Sequence, residues 1–124
     1  MKNLRALQTN KGVVYVAANK YDYIKNIVDS VSLCDDLKKV ILFGSAASGT
    51  CTDSSDIDVS LFGSLRLAQY YRSKEYKRFL NSVYSYNNKT EYQDYDILYY
   101  QIGKSYSDDI LSDINHGVVL YEKE

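Results

Sequence analysis

Two neighbouring hydrophobic patterns place strong limits on the fold of this chain. Residues 39–43 (KVILF) form a compact apolar run that stops at Gly44, as expected for a buried strand that ends in a turn. Residues 56–62 (DIDVSLF) instead alternate between polar and apolar side chains, which is typical of a strand with one buried face. Two strands joined by a loop are therefore predicted, and the chain is expected to build on a β-sheet.

The rest of the chain adds strands and helices around this pair. The predicted elements, in order, are a strand over 12–17, a helix from about Lys20 to Val31, the strands 39–43 and 56–62, a helix over 65–84, a strand over 94–101, a helix from Ser105 or Ser107 to His116, and a strand over 118–121. The chain has 124 residues, with no internal repeat and no linker. This order predicts one α/β domain over residues 1–124.

Composition excludes several classes of protein. Hydrophobic residues make up 45% of the chain and charged residues 25%, as in ordinary globular proteins and unlike disordered ones. No apolar run approaches the roughly 18 residues of a membrane span, and residues 1–12 lack the apolar segment of a secretory signal. Cys34 and Cys51 lack metal-binding spacing, which favours a reducing compartment. A cytoplasmic protein without membrane contact is therefore expected.

The charged residues are unevenly distributed, although the net charge is only −1. Residues 64–90 carry six basic side chains and one acidic side chain, whereas residues 91–124 carry two basic and eight acidic ones. This division is typical of a protein that meets an anionic ligand or a charged partner, and also of solvated helix faces. Nucleic acid is the least favoured of these ligands.

Gly44 and Ser45 are candidates for phosphate binding. Glycine permits a tight turn and a close approach of a ligand to the backbone. If a short helix follows through Ser48, several backbone N–H groups stay unpaired and face outward, which suits phosphate oxygens. By itself, a Gly-Ser pair after a strand more often marks an ordinary turn.

Paired aspartates indicate a metal site. Asp56 and Asp58 lie two residues apart on a predicted strand, so their carboxylates share one face at a separation of about 6–7 Å. Their repulsion is relieved either by a divalent cation such as Mg²⁺ or by solvent at an exposed strand end. Asp94 and Asp96 have the same spacing on another strand, and either could supply a third carboxylate. Three carboxylates around two Mg²⁺ ions is an arrangement used for phosphoryl transfer.

Residues 43–62 contain the stretch GSAASGTCTDSSDIDVSL, which resembles the signature of the minimal nucleotidyltransferases of the DNA polymerase β-like superfamily. The shared pattern is Gly-Ser, ten residues and Asp-x-Asp, and Ala47, Gly49 and Ser55 also match it. Strand 94–101 contains YDILYY, which resembles the strand of the third carboxylate, and INHGVVLYE resembles the end of such domains. Within the superfamily, the similarity is to the antitoxins of HEPN/MNT toxin–antitoxin pairs.

The resemblance implies a mixed β-sheet flanked by helices and an enzyme that transfers AMP from ATP, or NMP from another NTP, to a hydroxyl group. The implied site residues are Gly44, Ser45 and Ser55 for the nucleotide, and Asp56, Asp58 and Asp96 for catalysis and for two Mg²⁺ ions. The resemblance selects Asp96 over Asp94 as the third carboxylate. The implied partner is a HEPN-type toxin, with one of its tyrosines as the acceptor.

Two other functions remain open. A homodimer could build a site for a small acceptor, such as an aminoglycoside hydroxyl, or the chain could neutralise a partner by contact alone. The family often has arginines where this chain has Ala46 and Ser48, so two potential phosphate contacts are missing. The basic side chains of residues 66–78 are the candidates to replace them.

Overall fold

The computed structural model describes residues 3–86, 93–107 and 109–123. The strands are β1 (Leu4–Thr9), β2 (Gly12–Ala17), β3 (Leu37–Phe43), β4 (Ile57–Gly63), β5 (Tyr95–Gln101) and β6 (Val118–Glu122). The helices are α1 (Tyr21–Val31), α2 (Ser45–Ser48), α3 (Leu67–Arg72), α4 (Lys74–Ser85) and α5 (Ile110–Asn115), and a short 3-10 helix (Ala18–Lys20) precedes α1.

The main sheet has four strands in the order β5-β4-β3-β6. Strand β3 runs antiparallel to both β4 and β6, whereas β4 and β5 are parallel. Strands β1 and β2 form a separate antiparallel hairpin. The expected mixed sheet flanked by helices is therefore confirmed. No helix in the described ranges has the length and apolar character needed to cross a membrane.

Strand β3 is buried because both faces of the main sheet are covered. On one face, Val40 and Leu42 pack in a large apolar cluster that includes side chains of α1 and α4. On the other face, Ile41 and Phe43 join a smaller cluster with Ile114 of α5. The apolar run at 39–43 thus has the burial on both faces that an unbroken hydrophobic strand predicts.

Several predicted elements differ from the structure. Strand β1 was not predicted, although it pairs with β2 along its whole length. The single helix predicted over 65–84 is two helices, because Ser73 has an extended backbone (φ −74°, ψ 151°) and its side chain accepts a hydrogen bond from the N–H of Tyr76. Ser73 is thus an N-cap inside the predicted helix. Asp56 lies just before β4 rather than in it.

Tyrosines form a packed group between α3, α4 and β5. The ring of Tyr70 is fully buried and stacks on that of Tyr99, with centroids 4.0 Å apart and an interplanar angle of 10°. The Tyr99 hydroxyl donates to the carbonyl oxygen of Leu65 at 2.7 Å. The Tyr70 hydroxyl lies near the Cys34 thiol but has no partner with hydrogen-bonding geometry among the described residues. The two stacked rings therefore differ in how their hydroxyls are satisfied.

Removal of the two hydroxyls is expected to have opposite effects on stability. Tyr70→Phe removes an unsatisfied buried hydroxyl and should leave the free energy of unfolding unchanged or raise it by up to about 1 kcal/mol. Tyr99→Phe removes a satisfied hydroxyl and should lower that free energy by about 1 kcal/mol. Urea unfolding of both variants measures the difference. A loss in Tyr70→Phe as large as that in Tyr99→Phe would contradict this assignment.

Candidate active site

The turn after β3 brings the backbone of Gly44 against the side chain of Asp58. Gly44 has φ +73° and ψ −154°, a conformation that other residues rarely adopt. A Cβ atom at this position would lie only 2.5 Å from Oδ2 of Asp58. Glycine is therefore required at residue 44 both by the backbone conformation and by the neighbouring carboxylate.

Helix α2 is a single turn that follows Gly44 directly. The N–H groups of Ala47 and Ser48 donate to the carbonyl oxygen of Gly44, at 3.1 and 3.2 Å. In the described part of the chain, the N–H groups of Ser45 and Ala46 have no such acceptor. The sequence predicts unpaired N–H groups after the strand that ends at Gly44. In the structure, the N–H groups of Ser45 and Ala46 are the candidates.

Parallel pairing of β4 and β5 sets Asp58 directly opposite Asp96. The Asp96 carboxyl therefore lies close enough to act on the ionisation of Asp58. The pKa of Asp58 is raised from 3.8 to about 6, most of all by burial, and the neighbouring Asp96 carboxyl and the charge of Asp56 act in the same direction. The structure thus places Asp96 opposite Asp58, with Asp56 near enough for its charge to act on Asp58.

Asp94 makes hydrogen bonds to the backbone and does not lie opposite Asp58. Its side-chain Oδ1 accepts a hydrogen bond from the N–H of Tyr95 at 3.2 Å, and its carbonyl oxygen accepts one from the N–H of Ile57 at 3.1 Å. Asp94 therefore joins the starts of β4 and β5, while Asp96 lies beside Asp58. The sequence left both residues open on spacing alone, and the strand register is the feature that separates them.

The donor chemistry of the three carboxylates fits a hard divalent cation, since all their ligand atoms are oxygens. No group of three His, Cys, Asp or Glu side chains in the described ranges is already arranged as a metal site. Burial, the neighbouring Asp96 carboxyl and the charge of Asp56 all disfavour an ionised Asp58. A cation bound here would relieve the repulsion among these carboxylates.

Ser55 closes a turn in the loop before β4. Its hydroxyl accepts a hydrogen bond from the N–H of Thr52 at 3.0 Å, and its own N–H donates to the carbonyl oxygen of Thr52 at 3.1 Å. The carbonyl oxygen of Ser55 accepts a hydrogen bond from the side chain of Gln93 at 3.0 Å. Ser55 therefore shapes the approach to Asp56, and its contact with a nucleotide stays a prediction.

Ala46 does not offer space for the arginine that the family often has, whereas Ser48 is half-buried. Ala46 is 1% exposed, and the Ser48 hydroxyl donates to the carbonyl oxygen of Ser45 at 3.2 Å. The basic residues of 66–78 follow the far end of β4, and Gly63 lies five residues beyond Asp58, or roughly 16 Å along the strand. Replacement of the missing phosphate contacts by this segment stays a prediction.

Two residues near the carboxylates were missed in the sequence. Lys20 is 1% exposed and Gln93 is 4% exposed, and the Lys20 ammonium donates to Oε1 of Gln93 at 2.5 Å. A lysine at the start of a helix normally extends into solvent, so neither residue type nor spacing signals this contact. Only the fold reveals it.

The comparison with protein families agrees with this geometry. Residues 24–124 match the family described as polymerase beta, nucleotidyltransferase. The matched region includes the Gly44 turn and all three carboxylates. No curated protein matches the chain. Because the family covers most of the sequence and the observed fold agrees with it, the chain belongs to the polymerase beta nucleotidyltransferase family.

Proposed function

We propose that this protein transfers AMP from ATP to the hydroxyl group of an acceptor and releases pyrophosphate. The observation that carries the proposal is the position of Asp58, which lies between the Gly44 turn and Asp96. A turn with free N–H groups and a cluster of carboxylates meet at this point, in a chain of a nucleotidyltransferase family. Phosphate binding and cation binding are the two functions that such a reaction requires.

Each residue has a proposed role. The N–H groups after Gly44, together with Ser45, would bind the β- and γ-phosphates, and Ser55 would contribute to the nucleotide site. Asp56, Asp58 and Asp96 would hold Mg²⁺, the divalent ion that most often joins carboxylates to substrate phosphates. When bound, Mg²⁺ ions would neutralise the negative charge of the triphosphate.

Asp96 is the proposed general base. Its side chain is exposed, so an acceptor hydroxyl can approach it from solvent. The acceptor oxygen forms a bond to the α-phosphorus, the bond from that phosphorus to pyrophosphate breaks, and Asp96 accepts the hydroxyl proton. Asp56 is exposed as well, which leaves the site open on the side where a large acceptor would have to dock.

The proposed acceptor is a tyrosine of a HEPN-type toxin, which gives this protein the role of an antitoxin in the cytoplasm. The resemblance of the Gly-Ser to Asp-x-Asp stretch to that of the MNT antitoxins supports this choice. The exposed carboxylates support it too, because a tyrosine on a protein surface can reach them without entering a deep cavity.

The test is incubation of this protein with ATP, Mg²⁺ and a HEPN-type protein taken from a genome that encodes the two side by side. We expect the partner to gain label from ATP labelled at the α-phosphate and none from ATP labelled at the γ-phosphate, with an intact mass increased by one adenylyl group. Asp96→Asn should abolish labelling. Asp94→Asn is the matched control, because its amide oxygen can still accept from Tyr95, and it should retain activity.

Other outcomes would redirect the assignment. Transfer to aminoglycosides instead of the partner would favour a small-molecule enzyme. A tight complex with the partner that is unlabelled under all conditions would favour a module that acts by contact alone. Loss of activity in Asp94→Asn with full activity in Asp96→Asn would overturn the assignment of the third carboxylate.

A further inference from the structure

Lys20 is buried beside the segments that carry the site carboxylates. Its side chain is 1% exposed, and its ammonium donates to the carbonyl oxygen of Asp53 at 2.7 Å and to Oε1 of Gln93 at 2.5 Å. Asp53 lies three residues before Asp56 in the loop that leads to β4. Lys20 thus connects the start of α1 to two segments that are distant from it in sequence.

Gln93 extends this connection to both carboxylate strands. Its side-chain nitrogen donates to the carbonyl oxygen of Ser55 at 3.0 Å and to that of Asp94 at 2.7 Å. Ser55 directly precedes Asp56, and Asp94 lies two residues before Asp96. A hydrogen-bonded network therefore joins the backbone in front of each exposed carboxylate.

Burial of this network needs a physical reason. An ammonium taken out of water loses its hydration, and this loss is tolerated only if hydrogen bonds replace it. The hydrogen bonds that replace it include those to the Asp53 carbonyl oxygen and the Gln93 side-chain amide, whose positions are fixed in return. The loop at 53–55 has little regular structure of its own, so these bonds are well placed to set its geometry.

We propose that Lys20 is a positioning residue for the cation site, and that with Gln93 it holds Asp56 and Asp96 in the geometry that binds a divalent metal. The inference rests on the proposed function only in its choice of metal ligands. Residues behind metal ligands commonly change metal affinity by about 10-fold to 100-fold when they are replaced.

Electrostatics and positioning predict opposite effects here. A purely electrostatic Lys20 repels a nearby cation, so its removal would strengthen metal binding. A positioning Lys20 keeps the carboxylates in place, so its removal would weaken metal binding. Gln93→Glu gives the same contrast. The added negative charge would strengthen metal binding by electrostatics alone, and the carboxylate can still accept from Lys20. The variant lacks the N–H donor to Ser55 and Asp94, however, so a positioning role predicts weaker metal binding.

The experiment measures binding of Mn²⁺ alone to the full chain, by electron paramagnetic resonance or calorimetry, without nucleotide or partner. The variants are Lys20→Met, Gln93→Glu and the control Lys25→Met, which removes an exposed lysine that pairs with Asp29 at 3.2 Å on α1. Circular dichroism identifies a temperature at which each variant is folded. We expect the dissociation constant to rise about 10-fold or more in Lys20→Met and Gln93→Glu, and to stay unchanged in Lys25→Met.

The outcomes decide the inference. Weaker binding in either folded network variant supports it, and Gln93→Glu carries the test if Lys20→Met does not fold. Unchanged or tighter binding in the folded network variants overturns it, as does a wild-type chain that binds no Mn²⁺. A chain that shows the expected pattern of affinities but transfers no nucleotide would refute the proposed function and leave the positioning role intact.

Discussion

Asp58→Asn is expected to abolish nucleotidyl transfer while making the metal-free protein more stable. The carboxylate of Asp58 lies beside Asp96 and within the field of Asp56, and its pKa is raised to about 6. At neutral pH the folded protein therefore holds an ionised group that its surroundings disfavour. Replacement by asparagine removes this charge and keeps the shape of the side chain.

The expected size of the stabilisation follows from the pKa shift of Asp58. An increase of the pKa from 3.8 to about 6 corresponds to about 3 kcal/mol, and partial exposure of the group reduces this to about 1 kcal/mol of stabilisation. Loss of a metal ligand removes several kcal/mol of transition-state stabilisation, so transfer should fall by about 10³-fold or more. Urea unfolding in EDTA and AMP transfer to the partner measure the two effects.

The dependence on pH has a definite sign. Because the folded protein binds the Asp58 proton more tightly than the unfolded chain does, the stability due to this group is present below pH 3.8 and is lost as the pH rises through about 6. The stabilisation of Asp58→Asn over the wild type should therefore grow between pH 4 and 7. A constant difference across this pH range would contradict the raised pKa of Asp58.

Gly44→Ala is expected to damage both the fold and the site. The substitution forces a non-glycine residue into a backbone conformation at φ +73°, which costs about 1–3 kcal/mol. The added Cβ would also lie 2.5 Å from Oδ2 of Asp58, so the carboxylate must move away from its place opposite Asp96. Transfer activity should fall together with Mn²⁺ affinity.

Gly103→Ala is the control that separates backbone strain from the contact with Asp58. Gly103 has φ +87°, but a Cβ there would meet no atom within 4 Å. Its replacement should therefore cost backbone strain alone and leave Mn²⁺ binding unchanged. Equal effects of Gly44→Ala and Gly103→Ala on stability and on Mn²⁺ binding would show that the contact between the Gly44 turn and Asp58 does not contribute to metal binding.

Much of the central sheet could be predicted from local pattern. The apolar run at 39–43 and the alternation at 56–62 correspond to β3 and β4, because side-chain periodicity follows directly from strand geometry. Strand β1 was missed, and it lies in a hairpin outside the main sheet. The break at Ser73 was missed because the hydrophobic stripe continues across it, whereas the N-cap depends on one hydroxyl.

The sequence alone determined the strand that carries Asp58, and the glycine that ends the strand before it, because these features depend on residues close together in the chain. The tertiary structure decided which residues from distant segments join them. The parallel register set Asp96 rather than Asp94 beside Asp58. Folding also buried Lys20 against Asp53 and Gln93, a contact between segments whose separation along the chain leaves no periodic signal.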